Sequence, residues 1–447
     1  MEMLIGFIVL IGGLTLGIHF GGMGTALVNG MVVMIFTFLF GYKPGKPPID
    51  IMLIILTVVT CAAVLQTAGG LNVMLKYAEK FLRSNPKRIT IYAPITTWFL
   101  TVLCGTAHVM YTIMPIIYDI AIKQGIRPER PMAAASISGP MGLTASPVSV
   151  AVASIVSLLL GAGYSCTVGT VLMISGPATF CGILAAGLWS YNRGKDLEDD
   201  EQFQKFISVP ENREYVYGET TTLENMQFPK QAYWAVYIFF AGLIAITVLG
   251  NIPSLLPHFA ASAAAPAKPL SMVLVIQMIM FTVGGLILIC CKLNSKEVPN
   301  SSVFKAGMTA IVTIFSVAWA ADTYFSHYMP VIKSVLGGAV QEYPWAYALL
   351  LFTTSVLTNS QGASIAIITP MALLIGVDPV YVIAFTAAAY GYFFLPNYPS
   401  DLATIEFDRA GTTKIGGWLL NHSFMIPGLI AVSVSCLTGY VLTKILL

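Results

Sequence analysis

Small polar residues interrupt four apolar stretches of this chain, and most of its prospective chemistry lies in them. Cys104-Gly105-Thr106-Ala107-His108 and Thr358-Asn359-Ser360-Gln361-Gly362 sit inside apolar runs at 89–122 and 344–376. Thr144-Ala145-Ser146-Pro147, with Ser149 just beyond, and Pro396-Asn397-Tyr398-Pro399-Ser400, with Asp401 next, interrupt two more. A helix that restarts after such a cluster presents free N–H groups and the positive end of its dipole. That chemistry suits a carboxylate. Gly105, Thr106, His108, Thr144, Ser146, Ser149, Asn359, Ser360, Gln361, Asn397 and Ser400 are therefore the candidate anion-binding residues. His108 is able to donate to a carboxylate or to titrate near neutral pH. Asp401 is a carboxylate in an apolar stretch, which is costly and points to function, here a proton or cation that offsets substrate charge. The plainer alternatives are close helix packing at the small residues, kinks at the prolines and a capping role for Asp401. No Lys or Arg falls at an expected membrane midplane, so helix ends, hydroxyls and amides would have to hold an anion.

Other chemistries find little support. HExxH, GxxxxGK[ST] and GxGxxG are absent, and Gly362-Ala363-Ser364-Ile365 lacks the second glycine of a nucleophile turn. No enzymatic activity, cofactor or metal is expected. The seven cysteines include no CxxC pair and read as apolar packing.

These clusters must be positioned by membrane helices. Of 447 residues, 56% are hydrophobic and 10% charged, against about 25% charged in a soluble domain. Residues 192–230 alone hold 14 of the 44 charged side chains. The composition is that of an all-α polytopic membrane protein with one wet insert, and the net charge of +2 suggests no nucleic-acid partner. About ten spans are expected, at 3–20, 22–41, 49–67, 131–162, 166–190, 231–250, 270–291, 303–321, 380–408 and 417–444. Glu2 stands where a signal peptide would be basic, so the first span is expected to be retained.

Basic residues set the topology. Lys76, Lys80, Arg83, Lys87 and Arg88 precede 89–122, and Lys123, Arg127 and Arg130 follow it. Both ends therefore face the cytoplasm, and the stretch is expected to be a re-entrant hairpin in preference to two short spans, which would give the same topology. Threading from an outside N-terminus puts 18 Lys and Arg in the cytoplasm and five outside. This orientation places both termini in the periplasm, 191–230 in the cytoplasm, and the entry of 344–376 on the outer side. Residues 49–67, 70–88 and 89–122 read as span, amphipathic interfacial helix and hairpin, and 303–321, 323–342 and 344–376 read the same way about 254 positions later. The expected organisation is a first repeat over 1–190, a cytoplasmic linker over 191–230 and a second, inverted repeat over 231–447. The linker is expected to be solvated, or else a docking surface for a regulatory protein.

Several long strings carry a family resemblance. CGTAHVMYTIMPIIYDIAIKQGIRPERPMAA, GKDLEDDEQFQKFISVPENREYVYGET, KPLSMVLVIQM, EYPWAYA and YPSDLATIEFDRAGTT resemble the anaerobic C4-dicarboxylate carriers, the Dcu family, and above all their fumarate–succinate antiporter branch. The resemblance implies a bacterial inner-membrane exchanger that takes in fumarate, malate or aspartate and releases succinate. It also implies kinship with the ion-transporter superfamily, whose members are usually homodimers with scaffold and transport domains and two opposed hairpins. Thr106, His108, Asn359, Ser360, Pro399 and Asp401 fit that pattern. The expected function is alternating-access exchange of C4-dicarboxylate anions across a lipid bilayer, with H+ or Na+ as the coupling ion. The other readings are a membrane co-sensor signalling through 192–230 to a sensor kinase, and a cation–proton antiporter using Asp401.

Overall fold

The computed structural model describes residues 2–47, 49–218, 226–260, 267–395, 398–416 and 420–447. Nearly all of the ordered secondary structure is helical. The single sheet among the described residues pairs His258–Phe259 with Lys268–Pro269 antiparallel.

The chain opens with α1 (Glu2–His19), α2 (Gly21–Met34) and α3 (Ile49–Thr67). α4 (Gly70–Ser84) follows after Gly69, whose φ of +79° ends α3, and the two helices are bent by 73°. α4 buries Leu71, Val73, Met74, Leu75, Ala78 and Leu82 along one face. α5 (Ile89–Cys104) and α6 (Met110–Lys123) form the first short pair. α7 (Glu129–Leu143), α8 (Val150–Gly161) and α9 (Val168–Ser190) complete the first half.

In the second half, α12 (Lys230–Asn251) and α13 (Met272–Cys290) precede α14 (Ser302–Glu342). α15 (Trp345–Thr358) and α16 (Gln361–Ile375) form the second short pair. α17 (Pro379–Ala384), α18 (Pro399–Phe407) and α19 (Met425–Leu446) close the chain. Five helices among the described residues are long and apolar enough to cross a membrane, and six if the bent pair is one span. That is fewer than the ten expected spans. The expected spans 131–162 and 380–408 each break near their middle, at 144–149 and, among the described residues, at 390–395 and 398; of the described part of 417–444, the α-helix starts at Met425.

α14 departs from the expected span-plus-interfacial-helix pattern and runs unbroken for 41 residues. Its counterpart breaks at a left-handed glycine, whereas here Thr323 stays helical, its hydroxyl donating to Trp319 O at 2.7 Å. α5, α6, α15 and α16 are 14 to 16 residues long. At about 1.5 Å per residue each reaches only some 21–24 Å, short of the roughly 30 Å hydrocarbon core.

The helices sort into two packed groups. α14 lies against α2 and α3, and α13 against α3; Gly307 of α14 comes so close to Val59 of α3 that a Cβ would lie 2.2 Å from Val59 Cγ1. The other group centres on α5, α7, α9 and α19. There Gly182 of α9 seats against the Ala431 carbonyl, and Gly439 of α19 against the Ala384 carbonyl, where an added Cβ would approach to 2.3 and 2.2 Å. Small residues at such crossings let membrane helices make close van der Waals contact.

The segment after α9 is more than a solvated tether. It forms α10 (Glu201–Ile207) and α11 (Pro210–Tyr217) and docks on the second group. Arg127 pairs with Asp200 at 2.7 Å and with Glu129 at 3.0 Å. Glu129 also takes Arg193 at 3.1 Å and the Ser423 hydroxyl at 2.7 Å, and Arg193 donates to the Ser423 carbonyl. The Tyr118 hydroxyl of α6 donates to Val216 O at 3.0 Å. The Arg127 guanidinium, by hydrogen bonding Asp200, holds that carboxyl below its usual range.

Candidate functional site

Each short pair turns at a residue in the left-handed region. Gly105 has φ +65° and Asn359 has φ +50°, and both occupy the position that ends the first helix of their pair. Gly and Asn are the residues that adopt this conformation at least cost. The next helix then starts at once. Ser360 caps α16 by accepting the Ala363 N–H at 3.3 Å, and residues Ala107–Val109 make a tight turn into α6. The breaks behave alike. Ser149 caps α8 by accepting the Val152 N–H at 3.2 Å, and Pro399 stands in the first turn of α18, where its missing N–H costs nothing.

A cavity of about 700 Å³ lies where both tips and both breaks meet α3 and α14. Of the expected residues, Gly105, Thr106, Ser149, Asn359, Ser360, Gln361 and Ser400 line it. Thr144 and Ser146 do not; both are fully buried behind the wall. The Thr144 hydroxyl donates to Met141 O at 2.9 Å, and the Ser146 hydroxyl accepts the Val148 N–H at 3.4 Å. Asn397 and the side chain of His108 lie outside the described residues. Asp401 is fully buried one layer behind Ser400; its Oδ1 accepts from the Ser136 hydroxyl at 2.6 Å, while Oδ2 has no partner among the described residues.

The two walls differ in character. The first turns of four helices open onto the cavity: Ala107 before α6, Ser149 and Val150 at α8, Gln361 and Gly362 at α16, Pro399 and Ser400 at α18. With about +0.5 of an elementary charge per helix start, they supply roughly +2. A serine that caps a helix through its lone pair keeps its own proton to donate, so Ser149 and Ser360 are each able to donate to a ligand. The facing wall from α3 and α14 is mostly small and apolar, with Val58, Val59, Ala62, Ala306, Gly307 and Ala310. No charged side chain is among the described lining residues.

Sequence reasoning missed Thr309, Thr313, Tyr111 and Tyr392, which also line the cavity. The i, i+4 spacing of Thr309 and Thr313 was a usable sign, since it puts both on one face of α14. Nothing local marked Tyr111 and Tyr392.

The chain matches, over residues 2–447, the family described as anaerobic C4-dicarboxylate membrane transporter. It is 53% identical over 428 residues to the anaerobic C4-dicarboxylate transporter DcuB of Escherichia coli O6:H1, covering 95% of both chains. It is 35% identical over 448 residues to the C4-dicarboxylate transporter DcuA of Wolinella succinogenes, covering 98% of this chain and 99% of that one. Among solved structures, the YdaH transporter of Alcanivorax borkumensis has a TM-score of 0.56 at 15% identity, covering 88% of this chain and 84% of that one. MtrF of Neisseria gonorrhoeae, from a class of antimetabolite efflux pumps, has a TM-score of 0.56 at 16% identity, covering 93% and 84%. At these identities the two structures speak to the fold alone.

Proposed function

The chain belongs to the anaerobic C4-dicarboxylate membrane transporter family, and from that premise we propose that the cavity between the two tips holds the dianion during exchange. The protein is a multi-pass membrane transporter of C4-dicarboxylates. In the mechanism offered here, fumarate, malate or aspartate enters and succinate leaves, across a bacterial inner membrane. One carboxylate lies at the Gly105–Thr106 tip and the other at the Ser360 tip, with the α8 start between them: an added Cβ at Gly105 would lie 2.7 Å from Val148, and one at Gly362 would lie 2.7 Å from Val150. The single observation that carries this reading is the convergence of four helix starts on one cavity with no charged side chain among its described lining residues. About +2 of dipole charge matches a dianion, yet holds it less tightly than two arginines would, which favours release.

The contrast between walls supports a mode of movement. Most of the polar groups sit on the short pairs and breaks, while α3 and α14 offer a mostly apolar face interrupted by Thr309 and Thr313. In this reading the two helix pairs are re-entrant hairpins, and the group around α5, α7, α9 and α19 carries substrate along α3 and α14. A ligand that only lowers the barrier for the loaded carrier gives strict exchange when the empty carrier reorients slowly. Asp401, tied to Ser136 across the two repeats, is the candidate for the proton or cation coupled to transport.

Counterflow tests the reading. Purified protein in liposomes loaded with labelled succinate should release it when fumarate is supplied outside, with no partner protein present. Release without external dicarboxylate, or release driven equally by three- and five-carbon acids, would refute it.

A further inference from the structure

The left-handed tip residues occupy equivalent places, yet one is Gly105 and the other Asn359. Only the second tip therefore carries a side chain at its apex, that of Asn359, with Gln361 two positions further on. Both line the cavity. Gln361 is 95% buried, being 5% exposed. Its Nε2 donates to the Pro140 carbonyl at 2.8 Å. A carbonyl can only accept, so this bond fixes the amide orientation and leaves Oε1 as the free end. Pro140 O is one of the last four carbonyls of α7, which has no helical N–H to satisfy it. Gln361 thus caps one repeat while standing in the tip of the other.

Gln361 Oε1 and Asn359 Oδ1 are both buried, with no hydrogen-bond partner among the described residues. A carboxylate cannot satisfy them, because it too only accepts. Donors for the carboxylate come instead from the Ser360 hydroxyl and the N–H groups opening α16. Two unpaired amide oxygens beside a carboxylate site fit a ligand bearing N–H or O–H on the adjacent carbon. Resting on the dicarboxylate reading above, we propose that Asn359 and Gln361 form a subsite for the C2 substituent of a four-carbon diacid, so that this tip selects an amino or hydroxy diacid over its unsubstituted parent. The Gly105 tip has no such acceptor at its apex and takes the carboxylate next to plain methylene. Substrates with a C2 donor accordingly bind in one orientation, and the site discriminates between their enantiomers.

The test uses the full chain in proteoliposomes and reads inhibition of succinate counterflow. L-aspartate and methylsuccinate are close in shape, but only the first has a donor at C2. The subsite predicts that L- and D-aspartate compete unequally and that the better of the two outcompetes either enantiomer of methylsuccinate. It also predicts that Asn359→Gly, which retains the left-handed turn without strain, raises the inhibition constant for that aspartate enantiomer about tenfold more than it raises the constant for succinate. A charge-assisted hydrogen bond supports a change of that size. Methylsuccinate competing as well as the better aspartate enantiomer in the wild type, or Asn359→Gly shifting both acids equally, overturns the subsite. A wild-type protein that moves no four-carbon diacid at all would instead overturn the dicarboxylate reading on which it rests.

Discussion

Replacing Gly105 with alanine asks whether the first tip is part of the binding surface. Two penalties follow from its geometry. The φ of +65° is one that an L side chain adopts poorly, at about 1–2 kcal/mol. The added Cβ would also lie 2.7 Å from Val148 Cγ2 and 3.2 Å from Val148 O. Val148 belongs to the break before α8 and is 1% exposed, so it has little room to yield. Overpacking of this kind adds about 1–3 kcal/mol. The sum, about 2–5 kcal/mol, falls on the contact between tip and break rather than on a whole helix. If even 1.4 kcal/mol of it appears as lost substrate binding, affinity falls about tenfold. The assay is succinate counterflow as a function of concentration, beside thermal unfolding in detergent. Gly30→Ala is the control, since its Cβ would meet nothing within 4 Å. The expected result is an apparent KM at least tenfold higher for Gly105→Ala and unchanged for Gly30→Ala, with both proteins folded. Gly105→Ala with wild-type KM and stability would refute the placement of this tip against the break and the cavity.

Three further outcomes are expected. Ser149→Ala removes both the cap of α8, at about 1 kcal/mol, and a donor to the ligand, so succinate KM should rise while fumarate and succinate remain exchangeable; an unchanged KM would remove Ser149 from the site. Asp401→Asn should insert normally and alter the pH dependence of exchange, and a pH profile identical to wild type would make the carboxylate structural only. The docked segment should loosen in acid: Asp200 has a folded-state pKa depressed from 3.8 by Arg127, so its contribution is complete above that ordinary value and is lost as pH falls through the lower folded one. Limited proteolysis within 193–218 should therefore accelerate below about pH 4 in the wild type, and already at neutral pH in Asp200→Asn; equal cleavage of the two proteins at neutral pH would deny the Arg127–Asp200 bond a role.

Local chemistry made parts of this arrangement legible from residues alone. A left-handed Gly or Asn and a capping serine act within a few positions, so both tips and the Ser149 start can be read from their own neighbours. The apolar runs likewise marked where helices form. Other features depend on contacts distant in sequence. That α14 continues past Asp322 is settled by the absence of a breaker there and by how the Gly45 and Lys46 N–H groups bond Thr323 and Asp322, at 3.0 and 2.6 Å. Thr144 and Ser146 carry the same hydroxyls as Ser149, yet turn away from the cavity because the break bonds to itself. Tyr111 and Tyr392 reach the cavity only through packing between remote helices. The docking of 193–218 rests on Arg127, Glu129 and Ser423, which lie up to about 230 positions from the residues they hold.

Substrate protection of the second tip is the most direct measurement. Ser360→Cys, placed in a chain whose seven native cysteines are replaced, is labelled in proteoliposomes with a small membrane-impermeant thiol reagent. The account predicts labelling from the aqueous phase that slows as succinate is added, over the same concentration range that drives counterflow, while glutarate has little effect. A residue 360 that is never labelled from either side, or is labelled at a rate indifferent to succinate, would contradict the claim that the two tips meet around the dicarboxylate.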